Sequence, residues 1–348
     1  MKTPWSLPLL AGMLLVAVFA AQPQSSRLPS AGVSCERLVF YNTENFFDAV
    51  HDSLKNDYDY LPQGSCHWTY LRYRLKVHRI AQALAAAGGE RLPALIGLAE
   101  VENAGVMETL LREFHEPDYR YIHFESPDER GIDVSLIYDR RCYRLLRAWA
   151  VPVRLESDGS GPHRPTRDIL YACFQRPGGE DLHVFVCHWP SRYGGARISE
   201  ERRCQAAAVL KGQVDSLFVS DPLARIVIMG DLNDEPSDKS VAEVLQAQPD
   251  KAPLYPGRLY DMMYSRAREE GIKSHKYQGV WSMLDHFIVS SSLYARPGLS
   301  AGVTADDFLL ERDRKYLGLQ PRRTIVGRSY QGGYSDHLPV WLDLPRND

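Results

Sequence analysis

Apolar residues recur along this chain in two rhythms. "YLRYRLKVHRIAQALAAAGG" carries Leu71, Leu75, Val77, Ile80 and Leu84 at near-helical spacing and stops at Gly88-Gly89, which predicts an amphipathic helix ended by a glycine cap. A second helix is predicted around Val106 to Phe114. A third follows Ser199, whose hydroxyl can cap it, with Glu200 and Glu201 set favourably against its dipole. The other rhythm is shorter and unbroken. "RLVFY" from Arg37, "LPALIGLAE", "YRYIHF", "GIDVSLIYD", "CYRLLRAWAV", "DILYACF", "LHVFVCH", "RIVIMG", "LDHFIVS" and "HLPVWLDL" are apolar runs of strand length. Such runs, bounded by turn residues, read as strands covered on both faces. Many strands with a few interspersed helices, and no linker to split them, argue one mixed α/β domain with helical cover.

The amino terminus breaks this pattern. "MKTPWSLPLLAGMLLVAVFAAQPQ" has a lone Lys2, an apolar run from Leu7 to Ala21 and small residues at its end. That is the form of a secretory signal peptide, and the run is too short to favour a membrane span. The expected organisation is therefore a signal peptide over residues 1–21, a polar linker over 22–36 and one domain over 37–346. The expected product is exported, periplasmic or secreted, without a stable membrane span and acting as a monomer. The chain has 348 residues and a net charge of −3. Loss of Lys2 with the leader would make that about −4, so charge alone would not hold a nucleic acid. The best local basic stretch is "RDRKYLGLQPRRTIVGR", in which Arg312, Arg314, Lys315, Arg322, Arg323 and Arg328 outnumber Asp313. Taken alone, such a run is more often a solvated loop. Six cysteines at irregular spacing permit disulfides in an exported chain, but no C-x-x-C pair points to zinc or redox work.

Polar residues at the strand ends are more informative. "RIVIMGDLNDEP" runs straight from a covered strand into Asp231 and Asn233. Likewise "VFYNTEN" ends in Asn42 and Glu44, "LIGLAEVEN" in Glu100, and "FVCHWPSRYGG" in His188, Ser191 and Arg192. "WSMLDHFIVS" opens with Asp285, and "GGYSDHLPV" with Asp336 and His337. Each alone reads as a turn residue. Together they form a set of carboxylates and amides, the ligands of a hard divalent cation, with no thiolate for zinc. Strand ends on one edge are also where open α/β sheets place their sites.

The motifs "YNTEN", "GLAEVEN", "HWPSRYGG", "GDLNDEP", "WSMLDHFIVS" and "YSDHLPV", in that order, resemble the endonuclease/exonuclease/phosphatase superfamily, over roughly Arg37 to Leu344. The resemblance implies an α/β fold, a four-layer α/β sandwich of two mixed β-sheets packed face to face with helices on the outside. It implies metal-dependent hydrolysis of phosphate esters. Glu100, with Asn42, Glu44 and Asp336, would hold Mg²⁺ (or Mn²⁺). Asp231 would deprotonate the attacking water, and Asn233 would fix phosphate or water. His337, oriented by Asp285, would donate to a phosphate oxygen, with His188 across the scissile phosphate. Arg167 and Arg192 would clamp phosphate, and Tyr138 and Asn42 would line the substrate site.

Three departures from the family pattern bear on specificity. Ala99 stands where a glutamine is common, Met283 where many relatives carry arginine, and His286 where many carry tyrosine; all are expected near the substrate. The leading expectation is an exported nuclease acting on DNA or RNA, the basic run meeting the phosphate backbone. A phospholipid or small-molecule phosphodiesterase or phosphatase, sphingomyelinase-like, is the second. A non-catalytic surface protein on the same scaffold is the third.

Overall fold

Alternation along the first strand sorts the core into layers. In the computed structural model, which describes residues 35–156, 165–176 and 178–345, the chain opens with β1 (Cys35–Phe46). Leu38 and Phe40 face one apolar cluster, Val39 and Tyr41 another, because successive strand side chains point to opposite faces. The expected leader, and all but the end of the expected linker, lie outside the described residues. Among the described residues no helix is long and apolar enough to cross a membrane.

After β1 come α1 (Tyr70–Gly88), β2 (Leu95–Val101), α2 (Ala104–Phe114), β3 (Tyr119–His123), β4 (Asp133–Asp139) and β5 (Arg144–Val151). Then follow β6 (Ile169–Gln175), β7 (Asp181–His188), α3 (Ala196–Ser220), β8 (Ile226–Asp231), β9 (Ala247–Pro249) and β10 (Leu259–Asp261). A hairpin of β11 (His275–Tyr277) and β12 (Val280–Ser282) precedes β13 (Asp285–Ser290) and β14 (Ser300–Val303). Two more hairpins, β15 (Leu310–Arg312) with β16 (Leu319–Pro321) and β17 (Ile325–Val326) with β18 (Ser329–Tyr330), lead to β19 (Val340–Pro345).

The large strands form two mixed sheets, ordered β14-β19-β1-β2-β4-β3 and β5-β6-β7-β8-β13-β10-β9. Each has a parallel pair near its centre, β1 with β2 and β7 with β8. A parallel pair needs a long crossover, which α1 supplies in the first sheet and α3 in the second. Val77, Ile80 and Leu84 of α1 and Val106 and Leu110 of α2 pack on the outer face of the first sheet. Ala207, Leu210 and Val214 of α3 pack on the outer face of the second, against Phe185, Ile226 and Ile228. Leu38, Leu95 and Leu136 meet Val184, Val227 and Phe287 between the sheets. The result is the expected four-layer α/β sandwich.

Local signals set most of the element ends. Thr69 caps α1 by accepting from the Arg72 N–H, and Gly89 follows it at φ 75°, where a Cβ would be strained. α3 differs from expectation: it begins at Ala196, so Ser199 lies inside its first turn. There the Ser199 hydroxyl donates to Gly195 O and accepts from the buried Arg203, a stronger claim than an exposed cap. β3 and β5 are edge strands, which is why "CYRLLRAWAV" is largely exposed rather than covered on both faces.

β8 is the centre of the second sheet, with Ile226 through Met229 wholly buried. Gly230 sits so close to β7 that an added Cβ would lie 2.3 Å from the Cys187 carbonyl oxygen. Backbone cannot yield as a flexible side chain does. Gly230→Ala is therefore expected to destabilise the fold by about 1–3 kcal/mol, the usual range for overpacking a dense core. Urea unfolding would measure it, and an unchanged midpoint would show that β7 and β8 separate freely.

Candidate functional site

The parallel pairs deliver the carboxyl ends of β1, β2, β7 and β8 to one edge of the sandwich. His188 pairs with Asp231 across β7 and β8, and Asp231 pairs with Asp285 across β8 and β13. Register alone thus sets these three side by side. From the other sheet, Asn42 Nδ2 donates to Asp231 Oδ2 at 3.0 Å, and the Asn233 N–H donates to Oδ1 at 2.9 Å. Asp231 is held on both oxygens. His337 arrives on the segment before β19, its own N–H donating to Ser335 Oγ, which in turn donates to the Asn42 carbonyl. Its Nδ1 lies 2.7 Å from Asp285 Oδ2 and its Nε2 lies 3.7 Å from Asp231 Oδ2.

The backbone at these strand ends is unusual. Glu44, Asn45, Glu100 and Asn233 have positive φ, at 50°, 57°, 63° and 52°, which is uncommon outside glycine. Glu100 is the extra residue of a bulge, since Ala99 pairs with Val134 and Val101 already pairs with Asp133. Residues 43–45 form a larger bulge in β1. Such bulges aim side chains off the regular pleat. Glu100 Oε2 accepts from the Asn45 N–H at 2.7 Å, and Oε1 faces His188 Nε2 at 3.9 Å.

Burial polarises the titratable groups in opposite directions. Burial opposes charge on His337, but the Asp285 and Asp231 carboxylates outweigh it and lift its pKa well above the usual imidazole value. For His188, burial and then the nearby Arg167, Arg130 and His337 push the pKa well down, so the ring is neutral. Burial raises Asp231 to about 6 against the pull of His337. Asp336 resists burial through Arg323 and His337 and is held at about 2. His188 Nδ1 and Asp285 Oδ1 are buried without a hydrogen bond inside the protein. Unpaired buried groups are costly and cluster where function requires them.

The residues expected from sequence divide into two groups. Asn42, Glu100, His188, Asp231, Asn233, Asp285, Asp336 and His337 converge on this edge. Tyr138 does not: it pairs with Leu95, five residues along β4 from Asp133, so about 17 Å from the Glu100 end. It packs, half-buried, against Phe174 at the margin of the inter-sheet core. Arg192 donates to the Asn233 carbonyl at 2.6 Å and to Asp238 at 2.9 Å, which makes it a brace for the 233–238 loop rather than a phosphate clamp. Arg167 lies behind His188, buried, donating to the Trp189 carbonyl and to Asp128. The carboxylate of Glu44 accepts from Arg323 and from the Thr324 and Ile325 N–H groups, so both its oxygens are engaged away from Glu100.

Ala99, Met283 and His286 are fully buried, not at a substrate surface. The His286 Nδ1 lies 2.7 Å from Asp261 and its Nε2 2.9 Å from the Asp234 carbonyl, a pairing that suits a protonated ring. Three more residues lie near the centre, of which His275 and Arg130 gave no signal in sequence and Arg323 was expected only as part of the basic run. His275 stacks beside His337 with ring centroids 4.6 Å apart. Arg323 joins Glu44 to Asp336. Arg130, beside Asp128, is close enough to depress His188.

The donor set suits a hard divalent cation. Glu100 Oε1 accepts no hydrogen bond from the described residues, the donors around it are carboxylate and amide oxygens with imidazoles, and none of the candidate ligand groups among the described residues includes a cysteine. Asp231, Asp285 and His337 bring one ligand atom each within 4.8 Å of one another, as do His275, Asp336 and His337.

Away from the cluster, the buried His286 gives a pH signature. Burial disfavours its charge, but Asp261 outweighs that and raises its pKa to about 9. A raised folded pKa stabilises fully below the unfolded value near 6.5 and is lost as pH rises through 9. Stability should fall over that window with a slope approaching about 1.4 kcal/mol per pH unit. Denaturant melts of His286→Phe should lack this slope; an identical slope would place the titration elsewhere.

Comparison with known proteins follows the same lines. Residues 37–346 match the model of the Endonuclease/Exonuclease/phosphatase family. A solved endonuclease/exonuclease/phosphatase family protein from Bacteroides thetaiotaomicron superposes with TM-score 0.57 at 16% identity, over 91% of this chain and 97% of that one. A mannosyl-6-phosphatase from Bacteroides thetaiotaomicron VPI-5482 gives 0.55 at 16% identity, over 89% and 99%. The human Nocturnin catalytic domain with bound sulfate gives 0.53 at 14% identity, over 89% and 93%. At such identities the likeness speaks for the fold. No curated protein matches. The family match over nearly the whole described domain, with the fold and strand-end cluster above, places this chain in the Endonuclease/Exonuclease/phosphatase family.

Proposed function

We propose that the chain is an exported, Mg²⁺- or Mn²⁺-dependent phosphodiesterase that acts on nucleic acid, as an endonuclease on DNA and with RNA as a further substrate. The observation that carries the nucleic-acid part is the surface beside the cluster. A cavity of about 590 Å³ runs from Asp336 and Arg323 out to Arg314, Lys315, Tyr316 and Tyr277. Arg312, Arg314, Lys315 and Arg328 are exposed, as are the two tyrosines. Cations that track a backbone, beside aromatic faces on which bases stack, are the equipment of a nucleic-acid groove.

In this reading Asp231, fixed by Asn42 and Asn233, orients the attacking water and takes its proton. Asn233 Nδ2 donates to the Trp189 carbonyl, which leaves Oδ1 to accept from that water. His337, charged between Asp285 and Asp231, donates from Nε2 to a non-bridging oxygen where negative charge grows. Neutral His188 donates to the same phosphate from the opposite side. Glu100 and Asn42 would hold the cation, which when bound polarises a phosphate oxygen and steadies the leaving alkoxide.

A second reading, a small-molecule or phospholipid phosphoesterase, draws on the mannosyl-6-phosphatase of like fold and on the exposed Leu54, Tyr58, Tyr70 and Leu71. Supercoiled plasmid, RNA, sphingomyelin, a sugar phosphate and bis-p-nitrophenyl phosphate, each with Mg²⁺, Mn²⁺ or EDTA, separate the readings. Plasmid nicking abolished by EDTA is expected; turnover of only the small esters or lipid with intact plasmid would overturn the nucleic-acid assignment. Mass spectrometry of the exported chain should find a mature terminus near Gln22.

Asp231→Ala and His337→Ala should each fold yet lose at least ~10²-fold in kcat, the usual reach of a positioned acid or base. Near-normal turnover in either would remove its assigned role. Arg314→Ala with Lys315→Ala should weaken DNA binding and flatten its salt dependence by about one to two contacts. Turnover of bis-p-nitrophenyl phosphate should be unaffected by that pair of changes. An unaltered salt slope for DNA would mean the groove lies elsewhere.

A further inference from the structure

Arg323 stands between two acids that the family pattern assigns to the metal. Its Nε donates to Glu44 Oε1 at 3.2 Å and its terminal nitrogen to Asp336 Oδ2 at 2.9 Å. Glu44 is further occupied by the same segment: the Thr324 N–H donates to Oε2 at 2.6 Å and the Ile325 N–H to Oε1 at 3.4 Å. Glu44 is almost fully buried, so a cation arriving there would have to displace three donors and find no water to complete its shell.

The backbone that carries this guanidinium is itself held in place. Buried Lys76 of α1 donates to Thr324 Oγ1 and to the Tyr334 carbonyl, clamping the segment on either side of β17 and β18. The Gly333 N–H donates to the Arg323 carbonyl at 3.1 Å, and a Cβ on Gly333 would lie 2.3 Å from that oxygen. The Arg323 backbone is thus held by its neighbours, and its guanidinium by the two acids. Glu100 differs, because only Oε2 is held, by the Asn45 N–H.

We infer that Arg323 is a built-in cation of this site, filling the space between Glu44 and Asp336 and closing that pair of acids to a divalent ion, so that an ion at the centre rests on the Glu100 side. This rests on the metal-dependent reading above. A guanidinium is always charged and grips carboxylates in a fixed planar geometry, so it can stand in for an ion's charge without its exchange. It also repels any divalent cation brought within a few ångströms. Arg323 is in this sense a positioning residue: it keeps Asp336 ionised and in place next to His337. Glu44 serves as the anchor for Arg323, not as a metal ligand.

The test is Mn²⁺ binding to the purified chain without substrate, followed by calorimetry and by the paramagnetic resonance of free Mn²⁺. Wild type should take one ion per chain. Arg323→Lys, which keeps the charge, should also take one. Arg323→Gln leaves the buried Glu44 and the half-buried Asp336 without their cation and should either take a second ion or bind Mn²⁺ at least ~10-fold more tightly. Two ions in wild type, or superimposable titrations of wild type and Arg323→Gln, overturn the inference. Should Arg323→Gln fail to fold, Asp336→Asn decides: one ion within about threefold of wild-type affinity supports the inference, because the ion rests on Glu100, and loss of the ion overturns it. Binding of one ion with no diester cleaved would remove the functional reading and leave this one standing.

Discussion

The hydrogen bond from Asn42 to Asp231 joins two sheets that are otherwise wound separately. Each sheet fixes its own half of the cluster by register, and nothing in either register dictates how the halves meet. The inter-sheet core does that. Side chains such as Leu38, Val184 and Phe287 set the separation, and close packing leaves little room for it to vary. A change in core volume far from the edge would therefore be read out as a displaced Asn42. Positioning of that kind is a large part of what a hydrolytic site contributes, and small misplacements are costly.

Around this junction the protein is braced by buried charge. Arg203 meets Asp234 at 2.7 Å, Arg167 meets Asp128 at 3.1 Å, and Lys276 meets Asp313 at 2.8 Å. Each pair ties a loop at the site edge to a regular element or to another loop. Such pairs are weak evidence for stability, since a good apolar replacement often does as well, but breaking one partner costs about 3–5 kcal/mol. Their effect is to leave the loops few alternative conformations. Arg192, holding the Asn233 carbonyl, belongs with them.

Much of this was legible in the sequence. Unbroken apolar runs gave the large strands, and the acids and amides at their ends gave most of the cluster, because a covered strand has few reasons to end in charge. Glu44 was legible as a motif member but not in its direction: spacing does not reveal that residues 43–45 leave the pleat. Tyr138 failed for a related reason, since alternation tells which face a residue occupies but not which end of the sheet it is near. Arg323 passed as one more cation in a solvated loop because Glu44, its partner, lies 279 residues away. Ala99, Met283 and His286 looked like specificity positions and lie in the core, His286 acquiring a partner in Asp261 on a three-residue strand too short to stand out.

The bulges at 43–45 and at Glu100 bear on how such a site can arise or be lost. The Glu100 bulge is one added residue, and deleting it would bring Val101 round to the opposite face, whereas the bulge at 43–45 adds two and lengthens the strand end without inverting it. Point substitution can exchange the acids but cannot create or erase the geometry that aims them. Within this architecture the site is thus reached by changes of chain length, after which the inverted backbone at Glu44 and Glu100 is kept in place by the strands on either side. A descendant that no longer used the chemistry could alter every acid and still carry the two bulges as the record of what stood there.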